Sequence, residues 1–241
     1  MSSPAETHRY RPIRRLLTSD AGLTAFLISL FLLIFVFYPL SEPGTLRQYL
    51  LDAFAVLVMI SGVYAVSDRN RLVFWGVVAL AVLSFGGQLL PYARLDHASL
   101  LLNNVSTMLF LIAVTGAVLY RVLRKGPITA HRIQGAVAVY LMLGMIWAMA
   151  YSLVYISDPS SFDLGHSIEG MEDLAGITTT GMSQLIYFSF VTLTTLGYGD
   201  IAPKSELAHN LAILQALTGQ IYLVVIMARL VSLAVTARDR E

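Results

Sequence analysis

The sequence predicts an all-α membrane protein of six transmembrane helices, with one further short helix that enters and returns on the same side. Three observations carry this. The 241 residues are 56% hydrophobic and only 13% charged, with a mean hydropathy of +0.70. A soluble domain needs more polar surface than that, whereas lipid removes the need. Six stretches without charge approach or exceed the length that crosses a bilayer, and the basic residues fall almost entirely on one side of them.

The uncharged runs locate the helices in chain order. They cover residues 21–40, 53–67, 72–93, 98–120, 133–157 and 210–228. The second is the weakest and is extended upstream over 48–52. In the last, the apolar pattern resumes after Arg229 to about Thr236. A helix rises about 1.5 Å per residue, so roughly 20 residues span the hydrocarbon core. The expected spans are therefore 21–40, 48–67, 72–93, 98–121, 132–157 and 208–236.

A seventh uncharged run, 174–199, is a poor span. It carries Gly176, Gly181, Gly197 and Gly199 and a cluster of threonines. Only residues 182 to about 193, or 194 at most, read as a helix, a length of about 18–20 Å that stops part way across. A helix that stops half way is tolerated where protein or water covers the irregular backbone that follows. Charge decides between six spans and seven. With six spans and both termini cytoplasmic, 13 of the 16 Lys and Arg residues are inside, and only Arg47, Arg94 and Lys204 are outside. A seventh span would move the basic C-terminus outside. The run is therefore expected to re-enter from the outer face.

Signal-peptide processing is not expected, because the first apolar run is long enough to span and lacks a small-residue cleavage site. No cytoplasmic ligand-binding domain is expected after the last span. There is no cysteine, which removes disulfides, thiolate metal sites and cysteine nucleophiles. No metal-ligand spacing, nucleophile–base set or phosphate loop is found, so neither an enzyme, a cofactor nor a nucleic-acid partner is expected.

The segment Thr194-Thr195-Leu196-Gly197-Tyr198-Gly199-Asp200 resembles the selectivity-filter signature of the potassium channel family. The resemblance extends to the threonine-rich 188–195 stretch, similar to the family's pore helix, and to a following helix that contains Gly219, similar to its inner helix. It covers roughly 133–236. It implies a passive potassium pathway and a homotetramer in the cell membrane, with residues 1–20 cytoplasmic, 21–125 a four-helix membrane domain and 126–241 a pore domain; the alternatives are a non-selective cation channel, against which the intact Gly197-Tyr198-Gly199 speaks, and a non-conducting regulatory channel subunit. One GYG cannot encircle an ion, so several chains must contribute, and the family resemblance says four.

The residue types suit that chemistry. Backbone carbonyls replace potassium's hydration shell when successive residues aim them at one axis. This needs alternating backbone conformations, some at positive φ, which Gly197 and Gly199 adopt without steric penalty. The expected ion-binding positions are Thr195, Leu196, Gly197, Tyr198 and Gly199, with potassium at Thr195 to Tyr198 and the Thr195 hydroxyl at the inner end. Leu196 and Tyr198 are expected to pack behind the filter, and Asp200 to close it at the outer mouth. The pore helix should aim its partially negative C-terminus at the cavity below.

Departures from the family pattern concern the support of this segment, for which Thr194, Tyr187, Phe188, Val191 and Asp200 are the candidates. Leu196 replaces the usual valine. Phe188 stands where many relatives have a hydrogen-bonding tryptophan, and Val191 where some bacterial ones place a glutamate. Two polar supports are thus expected to be missing, leaving resistance to collapse to the packing of Leu196, Tyr187 and Phe188.

Further expectations follow from the register. Gly219 is expected to be a hinge or close-packing site, and Gly219, Leu223, Met227, Val231 and Val235 to line the cavity and inner gate, with dewetting as the closing mechanism. Voltage sensing is not expected: residues 98–120 contain no Arg or Lys, and Arg121, Arg124 and Lys125 lie only at the cytoplasmic end, before Gly126-Pro127. Asn103 and Asn104 are candidates for hydrogen bonds between helices. The outer loop carries Asp158, Asp163, Glu169, Glu172 and Asp173, either a cation-concentrating ring or a solvated acidic loop. Asp52 is read either as a partner of Arg47 or Arg94 or as an acid at the membrane interface, and the outer-side His166 and His209 either as modulators of the mouth by protonation or as exposed histidines without a role.

Overall fold

The computed structural model of the protein describes residues 24, 26–37, 71–89, 97–123, 130–164 and 174–238. The expected N-terminal segment 1–20, the second span 48–67 and the linker after Arg124 lie outside the described residues. The described chain is mostly helical: α1, Phe26–Val36, closing in a π-helical turn at Leu33–Phe37; α2, Arg71–Leu89; α3, His97–Leu123; α4, Ala130–Ser157; α5, Leu174–Leu193; and α6, Glu206–Arg238. Three of these contain stretches long and apolar enough to cross a membrane, His97–Leu123, Arg132–Ser157 and Glu206–Arg229. The shorter apolar helices are Phe26–Val36, Trp75–Ser84 and Gly181–Leu193.

α4 is rich in Ala, Leu and Met, strong helix formers, and runs for 28 residues. It is the hub of the fold. α3, α5 and α6 all lie against it, and α2 reaches it through α3. Phe26 and Leu30 of α1, Phe110, Val114 and Val118 of α3, and Met142 of α4 belong to one buried apolar cluster. Polar ties between helices accompany this packing. Asn104 Nδ2 donates to Ser152 Oγ of α4 at 2.7 Å, so the expected interhelical role of Asn104 is realised. The hydroxyls of Ser84 and Thr107 meet at 2.5 Å between α2 and α3.

α6 starts with Ser205, whose Oγ accepts from the Ala208 amide at 3.2 Å, an N-cap bond; Glu206 sits in the first turn, where the helix dipole favours an acid. Its 33 residues extend about 50 Å, well beyond a hydrocarbon core. α6 lies antiparallel to α4, since Tyr222 reaches the Ala136 carbonyl while Gln215 reaches Tyr151.

α5 begins at Leu174, earlier than the expected 182, and is 20 residues long. Gly176, Gly181 and three threonines argued against helix by propensity, at about 1 kcal/mol or less each, which packing overrides. Gly181 shows how: an added Cβ there would sit 3.3 Å from Tyr155 Cε1, so the missing side chain admits the α4 ring. Length alone would now let α5 span. The chain's return argues otherwise. β1, Phe162–Asp163, precedes α5, and β2, Ala202–Pro203, follows residues 194–201; they pair antiparallel, Phe162 opposite Pro203 and Asp163 opposite Ala202. Lys204 N and Ser205 N both donate to Ser161 O, and Lys204 Nζ lies 2.8 Å from Asp163 Oδ2. The residues held together are those that flank α5 and the segment after it, so the chain comes back to the level it left. Everything between Phe162 and Pro203 leaves from and returns to one place.

Candidate functional site

The site forms where α5 ends. Leu196 N donates to Val191 O at 2.9 Å, and Thr195 N donates to Thr192 O at 3.0 Å. These two bonds are a Schellman cap, which requires a left-handed residue at the position after the helix's end. That residue is usually glycine; here it is Thr195, at φ 58°. A β-branched residue in this region is strained by about 1–3 kcal/mol. Such strain persists only where surroundings impose it, and marks a segment whose shape matters more than its local stability.

The left-handed conformation then recurs at alternate residues. Gly197 has φ 61° and Gly199 φ 78°, whereas Leu196 and Tyr198 have ordinary negative φ. Chain that alternates handedness turns successive peptide planes the same way, collecting N–H groups on one side and carbonyls on the other. The helix cap thus supplies the first step of an alternation that continues through Gly199. Added Cβ atoms at Gly197 and Gly199 would meet open space, so conformation rather than crowding requires glycine there.

Each expected support residue can now be placed. The Tyr187 hydroxyl donates to Asp200 Oδ2 at 2.8 Å, spanning from the middle of α5 to the far end of the filter segment. The expectation that polar support is lacking is corrected to this extent: Tyr187 supplies a bond rather than packing alone. Phe188 is buried in an aromatic cluster, edge-on to Tyr151 at 5.0 Å and to Phe162 at 5.7 Å between ring centres. Thr194 turns back on its own helix, its Oγ1 donating to Phe190 O at 2.7 Å. Val191 contributes through its carbonyl, which accepts the Leu196 amide. Leu196 and Tyr198 are 53% and 67% exposed, so the packing expected behind the filter is not made within one chain.

Gly219 is buried against the end of α5. A Cβ there would sit 2.5 Å from Leu193 O and 3.0 Å from Leu193 Cδ1, closer than atoms can approach. Leu193 O also accepts from Tyr140 Oη at 3.2 Å. The helix continues unbroken past Gly219. Close packing is therefore what the structure displays at this glycine. Leu223 and Met227, one and two turns on, are exposed, while the side chains of Val231 and Val235 lie outside the described ones.

The outer loop is partly committed to structure. Asp158 caps the 3-10 turn Pro159–Ser161, its Oδ1 accepting from Ser160 N at 3.0 Å and Ser160 Oγ at 2.6 Å, and these bonds hold its carboxyl below the usual range. Asp163 is paired with Lys204. Glu169, Glu172, Asp173 and His166 lie outside the described residues. Among the described residues no group of three or more His, Cys, Asp or Glu is placed to hold a metal.

Sequence reasoning missed one feature beside the site. Gln215, Ser189 and Tyr151, all fully buried, join in a hydrogen-bonded chain between α6, α5 and α4. Gln215 was legible only as an uncharged polar residue within an apolar span.

Comparison with known proteins adds an independent line. Residues 140–236 match the model of a family described as ion channel, a family of channels and not of enzymes. The chain is 32% identical over 92 residues to two-pore potassium channel 4 of Arabidopsis thaliana, covering 38% of this chain and 30% of that protein. It is 45% identical over 42 residues to two pore potassium channel b of Oryza sativa subsp. japonica, covering 17% of this chain and 12% of that one. The chain thus spans less than a third of the length of the curated relatives it matches. The capped end of α5 and the alternating segment behind it lie within the region that matches the ion channel family model.

Proposed function

We propose that the chain is one subunit of a homotetrameric, potassium-selective channel of the cell membrane, with six spans and cytoplasmic termini. Four copies surround an axis, and potassium passes passively, dehydrated, between carbonyls of Thr195, Leu196, Gly197 and Tyr198. The permeant ion is the transported species, and no cofactor is assigned.

The observation that carries this reading is the alternation of handedness at Thr195, Gly197 and Gly199 directly after the capped end of α5. Such backbone offers a row of neutral carbonyl dipoles, which bind a dehydrated cation strongly enough for entry and weakly enough for exit. The pinned ends at β1 and β2 favour a re-entrant loop. The largely exposed apolar surface of α6, with Ile213, Leu217, Ile221 and Val224 all more than half exposed, suits burial against neighbouring copies and lipid. The exposed Leu196 and Tyr198 side chains would find their cover on the adjacent subunit. Voltage gating is not proposed, because Arg121 is the one Lys or Arg in α3 and lies in its last turn.

Reconstitution of the purified chain tests the reading. Four-fold mass in detergent and a reversal potential that follows the potassium gradient in mixed potassium/sodium solutions are expected. A monomer, or equal passage of sodium and potassium, overturns it.

A further inference from the structure

Two of the contacts between α5 and α6 lie one helical turn apart. Gln215 meets Ser189, and four residues later on both helices Gly219 meets Leu193. The lower contact is steric, backbone against backbone. The upper one is polar and wholly buried. Gln215 Nε2 donates to Ser189 O at 2.8 Å and to Ser189 Oγ at 2.7 Å. Ser189 Oγ donates onward to Gly144 O of α4 at 2.6 Å. The Tyr151 hydroxyl, also on α4, donates to Gln215 Oε1.

This arrangement fixes the amide's orientation without ambiguity. Ser189 O can only accept, so the group facing it must be the NH2, and Oε1 must face Tyr151. Both amide hydrogens and the amide oxygen are used. A fully satisfied polar network in an apolar interior holds one relative placement of its members, because any slide leaves a buried group unpaired. Here the members are one residue each on α4, α5 and α6, plus the Gly144 backbone.

From this geometry we infer that Gln215 is a positioning residue for ion selection, an inference that rests on the channel reading above. It locks the last turn of α5 to α4 and α6. The last turn carries Val191 and Thr192, whose carbonyls receive the cap bonds that hold Thr195 left-handed. The placement of the first filter residue is therefore set by Gln215 through Ser189, one turn upstream. The fixed point also lies above Gly219, so any movement of α6 that leaves the filter intact is confined to the part of the helix after Gly219. Selection among ions of similar size depends on carbonyl placement to a fraction of an ångström, and a supporting shell that is loosened by about 1 Å loses function without losing the fold.

The test compares the wild type with Y151F/Q215L in reconstituted tetramers. That pair removes both ends of the Tyr151–Gln215 bond together and leaves Ser189 its bond to Gly144, so no buried group is orphaned on α4. The expected result is an assembled channel whose potassium-to-sodium permeability ratio falls by about tenfold. Y151F alone cuts the direct tie to α4 and leaves Gln215 Oε1 without its donor but keeps Gln215 on Ser189, so its ratio should fall by less than that of the double variant. An assembled Y151F/Q215L channel with the wild-type ratio overturns the inference. If the double variant does not assemble, S189A carries the test, since it cuts the link from Gln215 to Gly144 while sparing the backbone bond; a fall of about threefold supports the inference and an unchanged ratio overturns it. A wild type that does not select potassium defeats the channel reading itself, and is recognised because it appears without any substitution.

Discussion

Tyr187 and Asp200 are tied by a 2.8 Å bond from phenol to carboxylate. The bond joins the middle of α5 to the last residue of the filter segment, so the five residues Thr195 to Gly199 are held at both ends. The inner end is held by the Schellman cap and the outer end by this bond. Both side chains are solvent-exposed, so water competes for this bond and its role is to position the segment rather than to add much stability. Tyr187→Phe removes the donor and little volume. Currents from the reconstituted variant are expected to decay about three- to tenfold faster under sustained activation, with assembly intact. Decay at the wild-type rate would leave the bond without a role in holding the segment.

Phe188 behaves differently, although it is the next residue. It is 6% exposed and boxed in by Tyr151 and Phe162. Phe188→Trp restores the residue common in the family but adds volume to a filled site. Overpacking of this kind destabilises by about 1–3 kcal/mol. The variant is expected to lower the thermal dissociation temperature of the assembly by several degrees; an unchanged or higher value would mean the aromatic cluster has room to spare.

Most of the described helices and the turn-forming glycines were readable because each has a local cause. Charge-free runs near 20 residues and the sidedness of Lys and Arg are properties of the chain itself, and α2, α3, α4 and α6 fall close to the expected limits. The glycines at 197 and 199 announced positive φ by their chemistry. What could not be read depends on partners distant in sequence. α5 extends back to Leu174 although glycine and threonine weigh against helix there; at Gly181 the missing side chain makes room for the Tyr155 ring of α4, a partner distant in sequence. Thr195 is left-handed because two cap bonds impose it, not because threonine prefers it. Gln215 and Ser189 are 26 residues apart and gave no pattern. Tyr187 was noticed for its bulk, while its hydroxyl proved to be the useful part.

Gly219 offers a sharp steric test. An added methyl group would lie 2.5 Å from a backbone carbonyl oxygen that already accepts from Tyr140, so the neighbour that must yield is main chain at the end of α5. Gly219→Ala is expected to destabilise by about 1–3 kcal/mol, which would appear as a lower dissociation temperature and a reduced potassium-to-sodium ratio together. A hinge role alone predicts altered opening with selectivity and stability preserved, so the two roles separate in one experiment.

Asp158 gives a pH expectation with a definite sign. Ser160 bonds hold its carboxyl below the ordinary value, so it favours the folded turn when ionised. A depressed folded value means that this contribution is present above the ordinary carboxylate range and is lost as pH falls through the folded value. From about pH 5 to 8 the turn should therefore show constant amide-exchange protection after correction for intrinsic rates, and loosen only below about pH 4. Asp158→Asn should remove that acid step. Loosening of the wild-type turn already near neutral pH would contradict the assignment.

Thr195 carries the most demanding prediction, because strain and function oppose each other there. Its left-handed backbone at φ 58° is strained by about 1–3 kcal/mol, which glycine would relieve, offset by about 0.5–1 kcal/mol of extra freedom in the unfolded chain. Thr195→Gly should thus leave the assembly as stable as the wild type, or slightly more stable. The same change deletes the hydroxyl that serves as an inner-end ligand in the proposed pathway. Potassium conductance is expected to fall by about tenfold or more in a protein that folds and assembles as well as before. Full conductance would remove the hydroxyl from the ion path, and a clear loss of stability would mean that the left-handed threonine is not strained.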